Sequence, residues 1–252
     1  MAIEEIAKLR PLSEWHAQSL RITAFHKSFE AIENLSWQDI TGKLPANQIR
    51  KPIEQATEEE GELLGNNLLL LNKPYRIDLI LQILNIPILG KGIPSLGLYE
   101  ELISIFIDLG KKLFMLGDFP SITRLAFGAI VHLNVKNRET GYALMNSYLK
   151  NVKVNSDNSS DFMYRINHPK SIDIESTKVK VNRLCKWIIP KYQWIGPNGT
   201  DVKSPESYGL QIELDISTDK EYPETLPKDK EEEILEKLTE LASEIILEGE
   251  PK

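Results

Sequence analysis

A single cysteine, Cys185, stands among 252 residues. No internal disulfide can staple the fold, so a buried core must hold it, as expected in a reducing compartment. No apolar run approaches the roughly 18–20 residues that a membrane-spanning helix needs. The opening MAIEEIAKLRPLSEW carries Glu4 and Glu5 and no apolar core of signal-peptide length. A cytoplasmic protein without membrane contact is the expectation. Catalytic signatures are missing too. There is no GxSxG nucleophile elbow, no GxxxxGK[ST] or GxGxxG phosphate cradle and no CxxC. The four histidines, His16, His26, His132 and His168, are scattered without HxH or HxxxH spacing. Glycines in GKGIPSLG (90–97) lack the strand-to-helix context of a nucleotide loop and read as a plain loop. No cofactor and no metal site are expected.

What is present is an ordinary globular composition, 41% hydrophobic and 27% charged, too apolar for a disordered chain. The net charge of −7 conceals an asymmetry. Residues 213–252 hold 14 acids against 5 bases, whereas residues 134–203 hold 12 bases against 6 acids. A basic middle beside an acidic end means either internal complementarity or two surfaces for different partners.

Periodicity outlines the elements. Segment 3–10 reads as a short helix before Pro11. In SLRITAFH (19–26), Leu20, Ile22 and Ala24 alternate with Arg21, Thr23 and Phe25, the pattern of a strand. FEAIENL (29–35) reads as a helical turn, and 40–60, broken by Gly42, Pro45 and Pro52, as loop. NNLLLLN (66–72) and YRIDLILQIL (75–84) flank Lys73-Pro74 and predict a hairpin. Leu102, Phe106, Leu109, Leu113 and Phe114 recur at helical spacing over 98–115, with Glu100 and Glu101 early and Lys111 and Lys112 late, matching the helix dipole. Gly110 lies inside that stretch against propensity. Residues 121–135 predict a central strand and 138–152 a helix. Strand-like stretches follow at 161–167, 177–195 and 208–217, with His168–Ser171 as a loop and Gly196–Gly199 as a turn. The chain ends in an amphipathic helix over 229–248. The fold class is therefore α+β: a largely antiparallel, possibly mixed sheet in one domain, with two internal helices and a C-terminal amphipathic helix.

The richest recognition chemistry lies between 161 and 196. Arg165, Asn167, Lys170, Asn182, Arg183, Lys186, Trp187, Tyr192 and Trp194 combine phosphate- or carboxylate-seeking cations with aromatic rings, in kind like a sheet that tracks a backbone and stacks bases. Asn167 and Asn182 equally suit strand ends, and Arg165 and Arg183 could bridge to Asp161, Asp173 or Asp215. Cys185 alternates with Arg183 and Trp187 and is expected to be buried; His132 is expected as a hydrogen-bonded core residue. The apolar face of the last helix, with Ile234, Leu238, Leu241 and Ile245, is expected as an interface; it must cover the chain's own sheet, another copy or a partner. These features predict a noncatalytic binding or adaptor subunit that joins a protein partner or itself, with nucleic acid contacted within a complex. The alternative is a metal-dependent nuclease or other hydrolase using Asp215, Glu213 and Glu175, although Lys178 follows Glu175 at three residues where two are wanted.

Overall fold

A computed structural model describes residues 8–84, 92–117, 119–174, 177–193, 205–220 and 225–251. Their strands are β1 (His16–His26), β2 (Asn47–Lys51), β3 (Ala56–Leu63), β4 (Asn66–Lys73), β5 (Arg76–Gln82), β6 (Gly97–Leu98), β7 (Ile122–Val135), β8 (Met163–Asn167), β9 (Lys170–Ile174), β10 (Thr177–Ile188), β11 (Lys191–Tyr192) and β12 (Ser207–Thr218). The α-helices are α1 (Trp37–Thr41), α2 (Tyr99–Phe114), α3 (Arg138–Tyr148) and α4 (Glu231–Glu248). All twelve strands join one sheet, whose main path runs β2-β3-β4-β5-β1-β7-β12-β10-β8. The expected α+β class is what the chain forms. Every pairing among the described residues is antiparallel, so the sheet is not mixed. No parallel crossover links β7 to β8, because β12 and β10 stand between them.

Alternation decides which face is buried. Leu20, Ile22 and Ala24 of β1, Leu125, Phe127, Ala129 and Val131 of β7, and Leu210, Ile212 and Ile216 of β12 all point into one core. The helices form a single layer on that side. Helix α2 packs on β1 and α4, α3 on β12 and β7, and α4 across β7, β12, β10 and β9. Ile234, Leu235, Leu238, Ala242 and Ile246 are fully buried, each side chain worth about 1.5–3 kcal/mol when removed from water. Gly110 explains itself here: a Cβ would stand 2.5 Å from Ile22 Cδ1 and 2.9 Å from Leu235 Cδ2. The small residue lets α2 approach both sheet and α4.

Several expectations fail for local reasons. Residues 40–60 are not mostly loop: β2 and β3 form a hairpin there, turned by Gln55 at φ 50°. β2 forms the sheet edge and is polar accordingly, with β3 between it and β4. Residues 29–35 form no helix; Asn72 holds this stretch to β4, accepting from the Ile32 amide at 3.0 Å and donating to its carbonyl at 2.7 Å. Residues 170–174, read partly as loop, form β9, with Ile172 and Ile174 inward. The Lys73-Pro74 hairpin does form, with Tyr75 at φ 64° in the position where such a turn needs a left-handed residue. Segment 3–7, the turn at 196–199 and residues 85–91 of the expected loop lie outside the described residues. No helix among the described residues is long and apolar enough to cross a membrane.

Candidate interaction surface on the open sheet face

Among the described residues no helix covers the other face of the sheet, and its side chains line up in rows across neighbouring strands. One row runs Arg165–Lys186–Glu213–Ile130–Ser19, the next Asn167–Leu184–Asp215–Gly128–Arg21, the third Asn182–Ser217–Ala126–Thr23–Asp78. Rows two residues apart stand about 6.8 Å from one another. Small side chains at Ser19, Ala126, Gly128 and Ser217 keep the middle low. Two adjoining hollows result, of about 310 Å³ and 340 Å³, sharing Leu184 and Asp215.

Of the nine expected binding residues, Arg165, Asn167, Asn182 and Lys186 come together here. Asn167 Nδ2 donates to Asn182 Oδ1 at 3.0 Å, and Lys186 pairs with Glu213 at 2.8 Å. The other five do not join them. Arg183 and Trp187 face the helix layer, because odd positions of β10 point inward. Trp187 is fully buried, its ring 5.5 Å from that of Tyr148, and Arg183 Nε donates to the His168 carbonyl at 2.9 Å. Both are corrected from binding to packing roles. Lys170 also lies on the helix side, 4.0 Å from Glu244 of α4. Tyr192 caps one end of the open face, its hydroxyl donating to Gln211 Oε1 at 2.8 Å and accepting from Gln18 Nε2 at 3.1 Å. Trp194 lies outside the described residues. Ile234, Leu238, Leu241 and Ile245 are corrected likewise: at 0–6% exposure they cover the chain's own sheet and offer no interface.

The side chains that periodicity did not assign to this surface are Arg21, Arg124 and Gly128. Arg21 lies across the floor: a Cβ on Gly128 would be 3.4 Å from its Nε and Nη2. Arg124 and Arg76 hold the Phe25 ring between them, at 5.1 and 5.6 Å from its centroid. Arg76 is neutralised by Asp78 at 2.6 Å, whereas Arg124 donates to Ser217 Oγ at 2.9 Å. Arg21 and Arg165 have neither ion pair nor hydrogen bond among the described residues. Oδ1 of Asp215 is buried there without a hydrogen-bond partner.

As for the hydrolase residues, Glu213 and Asp215 share this face, but Glu213 is engaged by Lys186 and Glu175 lies outside the described residues. No group of three or more His, Cys, Asp or Glu fit to hold a metal occurs among the described residues. Cys185 is buried as expected, and burial pushes its thiol up to about 11, leaving it protonated and inert. His132 is buried, stacked on His16 at 5.5 Å. Contrary to expectation neither ring nitrogen has a hydrogen bond among the described residues. Burial, then the neighbouring His16, lowers its pKa to about 4.

The strongest polar node sits behind the sheet. Glu250 is fully buried and accepts from the amides of Lys150 and Asn151 at 2.8 and 3.0 Å, from Asn151 Nδ2 at 2.8 Å, and from the Tyr164 hydroxyl. Burial alone raises its pKa, but these donors outweigh it and hold the carboxyl near about 2. Gly249, at φ 83°, makes the approach possible, since a Cβ would stand 2.3 Å from the Tyr148 carbonyl oxygen. The node anchors Tyr164, and with it the neighbouring residues of β8 that carry Arg165 and Asn167. No known protein family, no curated protein and no solved structure matches this chain.

Proposed function

We propose that this chain is a noncatalytic binding or adaptor subunit whose working surface is the open face of its sheet. The carrying observation is the pair of adjoining hollows over β7, β12 and β10, in which Arg21 and Arg165 have no carboxylate partner among the described residues. An uncovered sheet face with unneutralised guanidinium groups is a preformed recognition surface. Strand register fixes where each side chain stands, so binding has only the rotamers of Arg21 and Arg165 to order. Lys186 is spent on Glu213, Asn167 on Asn182 and Arg124 on Ser217, and neither hollow has a histidine or cysteine among its described lining residues.

The test is affinity purification from the native cell, followed by mass spectrometry, with three baits: the unaltered chain, Arg21→Glu/Arg165→Glu on the open face, and Lys112→Glu on the helix layer. The expected result is a partner retained by the first and third baits and lost by the second. A partner held equally by all three baits, or no partner with any, overturns the reading.

A further inference from the structure

The chemistry of the open face narrows the class of partner. We infer that the hollows receive an extended acidic polypeptide segment, one whose carboxylates meet Arg21, Arg165 and Arg124 while a main-chain N–H donates to Asp215. This rests on the reading of the open face as the working surface. Arg165 lies in the row of Ile130, Arg21 in the row of Gly128, and Arg124 two rows further along β7. Arg165 and Arg21 reach one hollow from β8 and β1, four strands apart, and Arg124 lines the other, so an extended segment lying across both hollows sets its acidic side chains against cations on either side. The flat, small-residue floor at Ala126 and Gly128 admits a backbone at close range.

Two observations favour a polypeptide over a nucleic acid strand. First, Asp215 lines both hollows, and a carboxylate in a binding floor calls for a donor from the ligand. A peptide offers one at every residue, whereas a phosphodiester backbone offers none. Second, no aromatic residue is among the described lining of either hollow. Trp187 and Tyr164 point to the helix side, and Phe25 is covered by Arg76 and Arg124.

The probe is a fluorescein-labelled peptide of four Glu-Ser repeats, titrated with the full chain and read by fluorescence anisotropy at about 50 and about 200 mM salt. The same titration is run with an eight-residue oligothymidylate. The peptide is expected to bind more tightly than the oligonucleotide and to weaken at the higher salt. Arg21→Gln and Arg165→Gln should each weaken it about tenfold, as when one charge-assisted hydrogen bond is lost, while Lys112→Gln on the helix layer leaves it unchanged. Sedimentation of the unaltered chain should show no association that Arg21→Gln abolishes. Absent peptide binding, equal loss in Lys112→Gln, tighter oligonucleotide binding, or self-association through Arg21 each overturns the inference. If a partner is retained through the open face yet the peptide does not bind, the acidic-segment inference falls and the binding-surface reading stands.

Discussion

Glu250→Ala removes one carboxylate and leaves four donors facing an empty, buried position: the amides of Lys150 and Asn151, Asn151 Nδ2 and the Tyr164 hydroxyl. The carboxyl's fall from 4.5 to about 2 on folding corresponds to about 3 kcal/mol at neutral pH. The sum of four bonds to a charge, each worth about 1.5–3 kcal/mol, exceeds that figure, because desolvation opposes them. The pH dependence follows from the sign of the shift. The folded-state pKa lies below the unfolded one, so the contribution is complete above 4.5 and drains away as pH falls through about 2. Urea unfolding followed by circular dichroism should show Glu250→Ala less stable by about 3 kcal/mol at pH 7, with Tm lower by roughly 10 °C. At pH 3 the deficit should be about half as large. A deficit under about 1 kcal/mol at pH 7, or one that does not shrink at pH 3, would refute the argument that this node anchors the chain end to α3 and β8.

Glu231 presents the opposite sign. Burial raises its carboxyl to about 7, offset only in part by the Ile122 backbone and Lys228. The folded chain holds that proton where the unfolded chain has lost it, so stability is highest below 4.5 and falls as pH rises through about 7. Glu231→Gln should therefore unfold at higher urea than the unaltered chain at pH 8, by about 2–3 kcal/mol, and match it near pH 4; equal midpoints at pH 8 would contradict this. Gly110→Ala should destabilise by about 1 kcal/mol in thermal unfolding, since overpacking against Ile22 and Leu235 outweighs the gain in helix propensity. A raised Tm would show that the contact relaxes freely.

The long elements were legible because one strong period governed each. Helix α2 and strand β7 follow their apolar patterns to within a residue or two, and the alternation at 19–26 correctly put Arg21, Thr23 and Phe25 on one face. The weak places were those where tertiary contacts override local pattern, as with Asn72 holding residues near Ile32 against helix formation, or where edge strands such as β2 bury almost nothing. The open face was half legible. Four of its residues came from the clustering of cations, amides and rings near 161–196, but clustering weighs every side chain alike, and the inward facing of Arg183 and Trp187 followed only from their sharing a face with the buried Cys185. Arg21 and Arg124 escaped notice because they reach the site through sheet order, with β7 paired to β1 on one side and to the sequence-distant β12 on the other.

That order also dictates when the molecule can be finished. Strand β12, near the end of the chain, is wedged between β7 and β10, and α4, made later still, roofs the same place. As synthesis proceeds from the first residue, β1 to β7 can pair early and β8 to β10 can pair among themselves, but these two pieces have no seam to share until residues 207–218 have been translated. The nascent molecule therefore carries two raw sheet margins until β12 has been made. Closing them is a late, non-local and slow event, and that interval is when the chain is most exposed to mispairing or to capture by a chaperone.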